Sequence, residues 1–191
     1  MDKHSSFDLL FETELRHLYC AAHLLEEQLP HMIEVATSKK LRLLLKRFFQ
    51  ETKNQIQRLN HIFELLDIDP QGTTLHGMHG FYNLFKEVWA SISHMHFKDQ
   101  CKGMEALLEE SSEIYSHFTC TAAADIVLIS NCQKMDYFEI ACYRFLCRLA
   151  EKYDLDLILG FLRASLREGE RTYDDLSELV MKDLPCLSAA S

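Results

Sequence analysis

The stretch TAAADIVLISNCQKMDYFEIACYRFLCRL, residues 121–149, decides the fold class. Its apolar residues recur every three or four positions: Ile129, Cys132, Ile140 and Tyr143 form one stripe along a helix. Asp136 falls in the middle of that stripe, and Glu139 lies one turn on, beside Tyr143. Two unpaired carboxylates buried on such a face would cost several kcal/mol or take up protons. The pair therefore calls for cations, hydrogen-bond donors or a metal.

The rest of the chain repeats the helical period. Phe7, Leu10, Phe11, Leu18, Ala22 and Leu25 predict a first helix from about Ser6 to Leu29. Pro30 is expected to kink or end it, with one or two further turns to Ala36. Thr37 or Ser38 can cap a second helix to about Leu66, with Leu41, Leu45, Phe48, Thr52, Ile56, Leu59 and Phe63 inward. Glu51 and Gln55 lie at the edge of that stripe. Asp69-Pro70-Gln71-Gly72 reads as a turn. Residues 102–117 and 121–152 predict two more helices. Asp154 can cap a last one over about Leu155–Met181, with Glu168 between the inward Ser165 and Thr172. The segment 73–100 carries Phe81, Phe85 and Trp89 in a helical pattern and reads as an inserted helix. It either covers the bundle's open side or presents its aromatics to a protein partner.

With only three prolines and six glycines in 191 residues, the chain has little room for turns, which favours long helices. The expected architecture is all-α: an antiparallel bundle of four or five helices plus the inserted one, as a single domain over 1–185 with a flexible tail, 186–191. A net charge of −9 makes nucleic acid and anionic membranes poor partners. The basic cluster from Lys39-Lys40 to Lys46-Arg47 reads as spread around a helix and solvated. No run approaches the length of a membrane span, and the N-terminus lacks a signal-peptide core. Seven cysteines, odd in number and without a Cys-x-x-Cys pair, suit reduced thiols in the cytoplasm. His76 with His79 and His94 with His96 offer surface metal pairs, though histidines at helix ends explain them as well. No nucleophile–base arrangement or phosphate loop is recognisable.

Every long helix carries acids near its inner face: Glu14, Glu51, Glu110, Asp136 with Glu139, and Glu168. Inward carboxylates from several helices are how bundles hold two metal ions, and hard oxygen donors suit iron or manganese.

Six segments carry a resemblance. They are Glu14-Leu-Arg-His-Leu-Tyr19, Leu29-Pro-His-Met-Ile-Glu-Val-Ala-Thr-Ser38, Glu51-Thr-Lys-Asn-Gln-Ile-Gln-Arg-Leu59, Ile62-Phe-Glu-Leu-Leu66, Cys101-Lys-Gly-Met-Glu-Ala-Leu-Leu-Glu-Glu110 and Tyr137-Phe-Glu-Ile-Ala-Cys-Tyr143. In this order they resemble the YciE/YciF-type ferritin-like proteins, bacterial and stress-associated, over about residues 7–70 and 100–180. The resemblance implies a ferritin-like bundle, a homodimer and a di-iron or similar site. It carries Glu51, Glu110, Glu139 and Glu168 over as metal ligands, with Asp136 as a shortened one. Three departures weaken that site. Ala22 stands where the family has an acid; Phe48-Phe-Gln-Glu51-Thr52 replaces His-x-x-Glu-Thr; Asp136-Tyr137-Phe138-Glu139 replaces Glu-His-Tyr-Glu. A lost carboxylate and lost nitrogen donors imply a degenerate site, empty of metal or mononuclear, and a non-catalytic protein that acts by dimerisation or protein association. The alternative is a non-haem iron or manganese protein with ferroxidase-like or peroxide-handling chemistry. If the site is empty, Tyr19, Tyr137 or Tyr143 is expected to donate to the acids, and Gln55 or Arg144 to pair with them.

Overall fold

Four long helices carry the fold: α1 (Ser6–Val35), α2 (Lys39–Leu66), α3 (Ala122–Lys152) and α4 (Asp156–Lys182). The computed structural model describes residues 6–71, 103–104, 106–109 and 122–182. The expected inserted helix over 73–100, both histidine pairs and Glu110 lie outside these residues. Among the described residues there is no strand.

The order of the helices follows from the contacts at their ends. Ser38 caps α2, its hydroxyl accepting from Leu41 N. The carboxylate of Asp125, in the first turn of α3, accepts from Thr37 N (2.8 Å), Thr37 Oγ1 (2.7 Å) and Ser38 N (2.7 Å). The start of α3 is thereby fixed to the α1–α2 turn. At the other end Phe7 stacks on Tyr153, and Arg16 donates to the Asp69 carbonyl beyond α2. Between the ends, Arg47 meets Asp175, Glu51 meets Thr172 and Arg58 meets Ser165, so α2 and α4 run antiparallel. Each helix thus has two antiparallel neighbours, in the cyclic order α1, α2, α4, α3, and α2 is parallel to α3. α2 thus ends at the opposite end of the bundle from the start of α3, about 42 Å away at 1.5 Å per residue over its 28 residues.

Pro30 does not end its helix. α1 continues through it to Val35. Without a proline N–H the Glu26 carbonyl loses its helical donor, at a cost of about 3 kcal/mol. Leu29, Met32 and Ala36 are all buried and keep the apolar stripe in register across the break, which offsets that cost. Leu10, expected inside, is exposed.

Asp154 does not cap α4 either. It adopts φ 55 and closes α3: Leu155 N bonds the Ala150 carbonyl (3.0 Å) and Asp154 N that of Glu151 (3.4 Å). Asp67 ends α2 in the same way at φ 54, with Ile68 N on Phe63 O and Asp67 N on Glu64 O. This is the double-bonded helix end that usually takes glycine, because a Cβ is strained at positive φ. A carboxylate there also faces the negative end of the helix dipole. Asp67→Gly and Asp154→Gly are each expected to raise stability by about 0.5–1 kcal/mol. In a chain of this size that is a gain of roughly 1–4 °C in melting temperature per change, readable by calorimetry.

Candidate functional site

Two apolar clusters fill the bundle. One holds Cys20, Leu25, Leu29, Leu41, Leu45, Phe48, Met104, Cys132 and Met135; the other holds Leu18, Ala22, Ile56, Leu59, Tyr143, Leu146 and Leu162. Between them the inward positions turn polar. Glu51, Thr52 and Gln55 come from α2, Asp136 and Glu139 from α3, and Ser165 and Thr172 from α4; all are buried. Glu168 joins from α4 with its side chain 22% exposed. Ala22 and Phe48, the two hydrocarbon departures, are packed in the apolar clusters on either side. Glu14 is half-buried on α1, toward the far end of the bundle.

Two arginines enter the layer by crossed pairing. Arg171 of α4 and Thr172 Oγ1 (2.8 Å) donate to opposite oxygens of Glu51. Arg58 of α2 donates to both oxygens of Glu168 and to Ser165 Oγ (2.8 Å). Each antiparallel helix therefore supplies one acid and one guanidinium, and each acid is met from the other helix. Arg47 Nε adds a third cation 3.5 Å from Glu51. The partners suggested by sequence differ. Tyr137 is exposed, and Arg144 pairs with Glu170 on the surface. Tyr19 packs edge-on against Phe63 and His23. Of the suggested partners among the described residues, Gln55 and Tyr143 lie in the layer; Gln55 donates toward Glu168, whereas the buried Tyr143 hydroxyl makes no hydrogen bond to an acid. The cations on these acids are Arg58 and Arg171, not Arg144. Their signal was present: Arg58 lies two turns beyond Glu51, and Arg171 one turn beyond Glu168.

Among the described residues Asp136 meets no cation. It is 1% exposed, and its Oδ2 has no hydrogen-bond partner. Burial first, and the Glu51 carboxylate second, push its pKa up to about 8. At neutral pH the residue is therefore mainly a neutral acid. Space for it comes from Gly169 on α4, where a Cβ would lie 3.1 Å from Asp136 Oδ1 and 3.2 Å from Ile140 Cγ1. Burial and then Asp136 push the Cys132 thiol up to about 12, so it stays protonated against Met32 Sδ at 3.7 Å. Glu168 is raised by burial, an effect that Arg58 opposes. Burial and then Glu139 raise the Tyr143 phenol too.

The described donors do not fit a dinuclear metal centre. Guanidinium groups hold Glu51 and Glu168, and Asp136 keeps its proton. Among the described residues no three of His, Cys, Asp and Glu are grouped to hold a metal. Of the five expected ligands, Glu51, Asp136, Glu139 and Glu168 share one layer and Glu110 is outside the described residues.

Fold and site define a class: an all-α antiparallel bundle crossed at mid-height by a carboxylate–arginine layer. The chain belongs to the family described as "Domain of unknown function (DUF892)", whose profile matches residues 6–100 and 84–185. The two matches overlap inside the segment read as inserted. Protein YciF of Escherichia coli (strain K12) is 25% identical over 170 residues, which cover 89% of this chain and 87% of that protein. Among solved structures, "YcfI, a putative structural protein from Rhodopseudomonas palustris" superposes with a TM-score of 0.74 at 26% identity, covering 91% and 94% of the two chains. The E. coli stress protein YciF gives 0.71 at 24% identity, covering 93% and 96%. The chain is a divergent YciF-type protein. No helix among the described residues is long and apolar enough to cross a membrane.

Proposed function

We propose that this is a ferritin-like protein in which its own arginines neutralise Glu51 and Glu168 and a proton neutralises Asp136, so that it works by association and not by redox turnover. The observation that carries the reading is the crossed pairing of Glu51 with Arg171 and Glu168 with Arg58. A guanidinium supplies the positive charge that a metal ion would otherwise bring to those carboxylates. Asp136, which meets no cation among the described residues, is mainly neutral because burial raises its pKa. The word "structural" in the description of the Rhodopseudomonas palustris protein agrees with a role of this kind. The word "stress" in that of the E. coli protein gives the setting we carry over. Four free cysteines among the described residues suit a reducing cytoplasm.

Metal analysis of protein purified from cells grown with added iron and manganese tests the reading. The expected result is far less than one equivalent of either metal, with no gain in melting temperature when ferrous iron is added. About two metal ions per chain, lost on Glu51→Ala, would overturn it in favour of an iron or manganese protein with ferroxidase-like or peroxide-handling chemistry.

A further inference from the structure

One turn from Asp136 the bundle buries sulfur. The Cys132 thiol of α3 meets the Met32 thioether of α1, with Sγ 3.7 Å from Sδ. Met135 follows Cys132 by three residues on α3, and Met104 packs in the same cluster; all four residues are buried. As a hydrogen bond the contact is weak, since a thiol is a poor donor and a thioether a poor acceptor. Its length also suits a shared ion. At a metal–sulfur bond of about 2.3 Å, two sulfurs of a trigonal or tetrahedral shell stand about 3.8–4.0 Å apart. Cys132 and Met32 thus stand close to that spacing with the helices where they are. Met135 and Met104 offer a third donor, because unbranched thioether side chains turn their sulfur at little cost.

Charge and softness select the ion. The cluster around Cys132 is hydrocarbon and sulfur, where an uncompensated charge costs several kcal/mol. A monovalent ion that takes the place of the thiol proton leaves the site neutral: the proton goes to solvent and Sγ bonds the ion. A divalent ion would leave one positive charge behind unless Asp136 ionised as well. Thiolate with thioether suits copper(I), whereas iron and manganese sites draw on oxygen and imidazole. The donor pair is therefore distinct in kind from the arginine-paired carboxylates.

Asp136 supplies an independent sign of a ligand. It follows Cys132 by four residues, so the two share one face of α3. After burial, it is the group that acts most on the Cys132 thiol. Its buried Oδ2 has no hydrogen-bond partner. A neutral carboxyl there can donate to a thiolate, which is a far better acceptor than a thiol. A way in is present too. Met32 is 6% exposed and Cys132 is wholly covered, so the thioether lies on the route by which an ion reaches the thiol.

We infer that Cys132 and Met32 form a site for a soft monovalent metal ion, copper(I) being the biological example, held as a neutral thiolate complex to which the Asp136 carboxyl donates a hydrogen bond. Full-length reduced protein is titrated without oxygen with copper(I) against a coloured copper(I) chelator, and in parallel with silver(I). Any of the seven thiols can take up soft ions weakly, so the quantity read is the tightest site. The wild type is expected to fill it with about one ion per chain. Met32→Leu keeps every thiol and the core volume, and should weaken that site at least about tenfold. Cys132→Ala should abolish it, and Cys147→Ala should leave it unchanged. Asp136→Asn still has a donor and should bind like the wild type, while Asp136→Leu should bind about tenfold more weakly. Circular dichroism checks that each variant is folded; if Cys132→Ala is not, Met32→Leu decides. A tightest site that Met32→Leu leaves at wild-type affinity belongs to other thiols and overturns the inference. Tighter binding of zinc(II) than of silver(I), lost on Asp136→Asn, would mean a divalent site and overturn it as well. The iron and manganese analysis above is a separate measurement, so either reading can fail without the other.

Discussion

Asp136→Asn should flatten a fall in stability that the wild-type protein shows as pH rises from about 4 to about 8. The acid releases its proton near pH 3.8 in an unfolded chain and near pH 8 in the folded one. Between these values the folded chain holds a proton that the unfolded chain has lost. Raising the pH therefore favours unfolding, by up to about 1.4 kcal/mol per unit. The full interval gives an upper bound, because neighbouring charges relax and water can enter. An effect of about 3 kcal/mol at pH 8 relative to pH 5 is a reasonable expectation, worth roughly 6–12 °C in melting temperature. Asparagine keeps the shape of the neutral acid and cannot ionise. The variant should match the wild type within about 1 kcal/mol at pH 4–5 and exceed it at pH 8. A small slope of the same sign should survive, since Glu168 is also raised by burial. Denaturant titrations at several pH values read this directly. Parallel curves for the two proteins would show that Asp136 is ionised in the fold, and the account of the layer would fail with it.

The helices were legible because their apolar residues keep one period over long spans. The inward stripe of α2, from Leu41 to Phe63, is buried throughout, and so is that of α3 around Ile129, Cys132, Ile140 and Tyr143. The ends were less legible, for reasons of energy balance. Pro30 is a local penalty that packing by Met32 and Ala36 outweighs. Asp154 has the side chain of a good cap, but the chain uses its tolerance of positive φ instead. In the site, burial of Asp136 could be read from its place on one stripe. That no described cation meets it could not, because that depends on which acids Arg171 of α4 and Arg58 of α2 reach. Likewise Gly169 has no meaning until α3 and α4 are packed, when its missing Cβ leaves room for the Asp136 carboxyl.

Arg58→Met tests the layer from the cation's side, and the largest single loss is expected there. Arg58 and Glu168 are mostly covered, with side chains 18% and 22% exposed. Removing one partner of a fully buried pair costs about 3–5 kcal/mol; partial exposure brings this to about 2–3 kcal/mol here. The loss also strips Ser165 of its donor. Arg171→Met should cost less, about 1 kcal/mol, because that side chain is 55% exposed and Thr172 and Arg47 remain on Glu51. The double change Arg58→Met/Glu168→Leu replaces the pair by hydrocarbon of similar bulk, and should return to within about 1 kcal/mol of the wild type. The coupling energy of that cycle measures the pair itself. Desolvation raises the Glu168 pKa and Arg58 holds it down, so Arg58→Met should also shift Glu168 further up and steepen the pH slope that Asp136 creates. A cycle with no coupling and an unchanged slope would mean that solvent, not the guanidinium, carries the charge of Glu168. The arginine-neutralised layer would then lose half of its support, and the carboxylates would again need a cation from outside the chain.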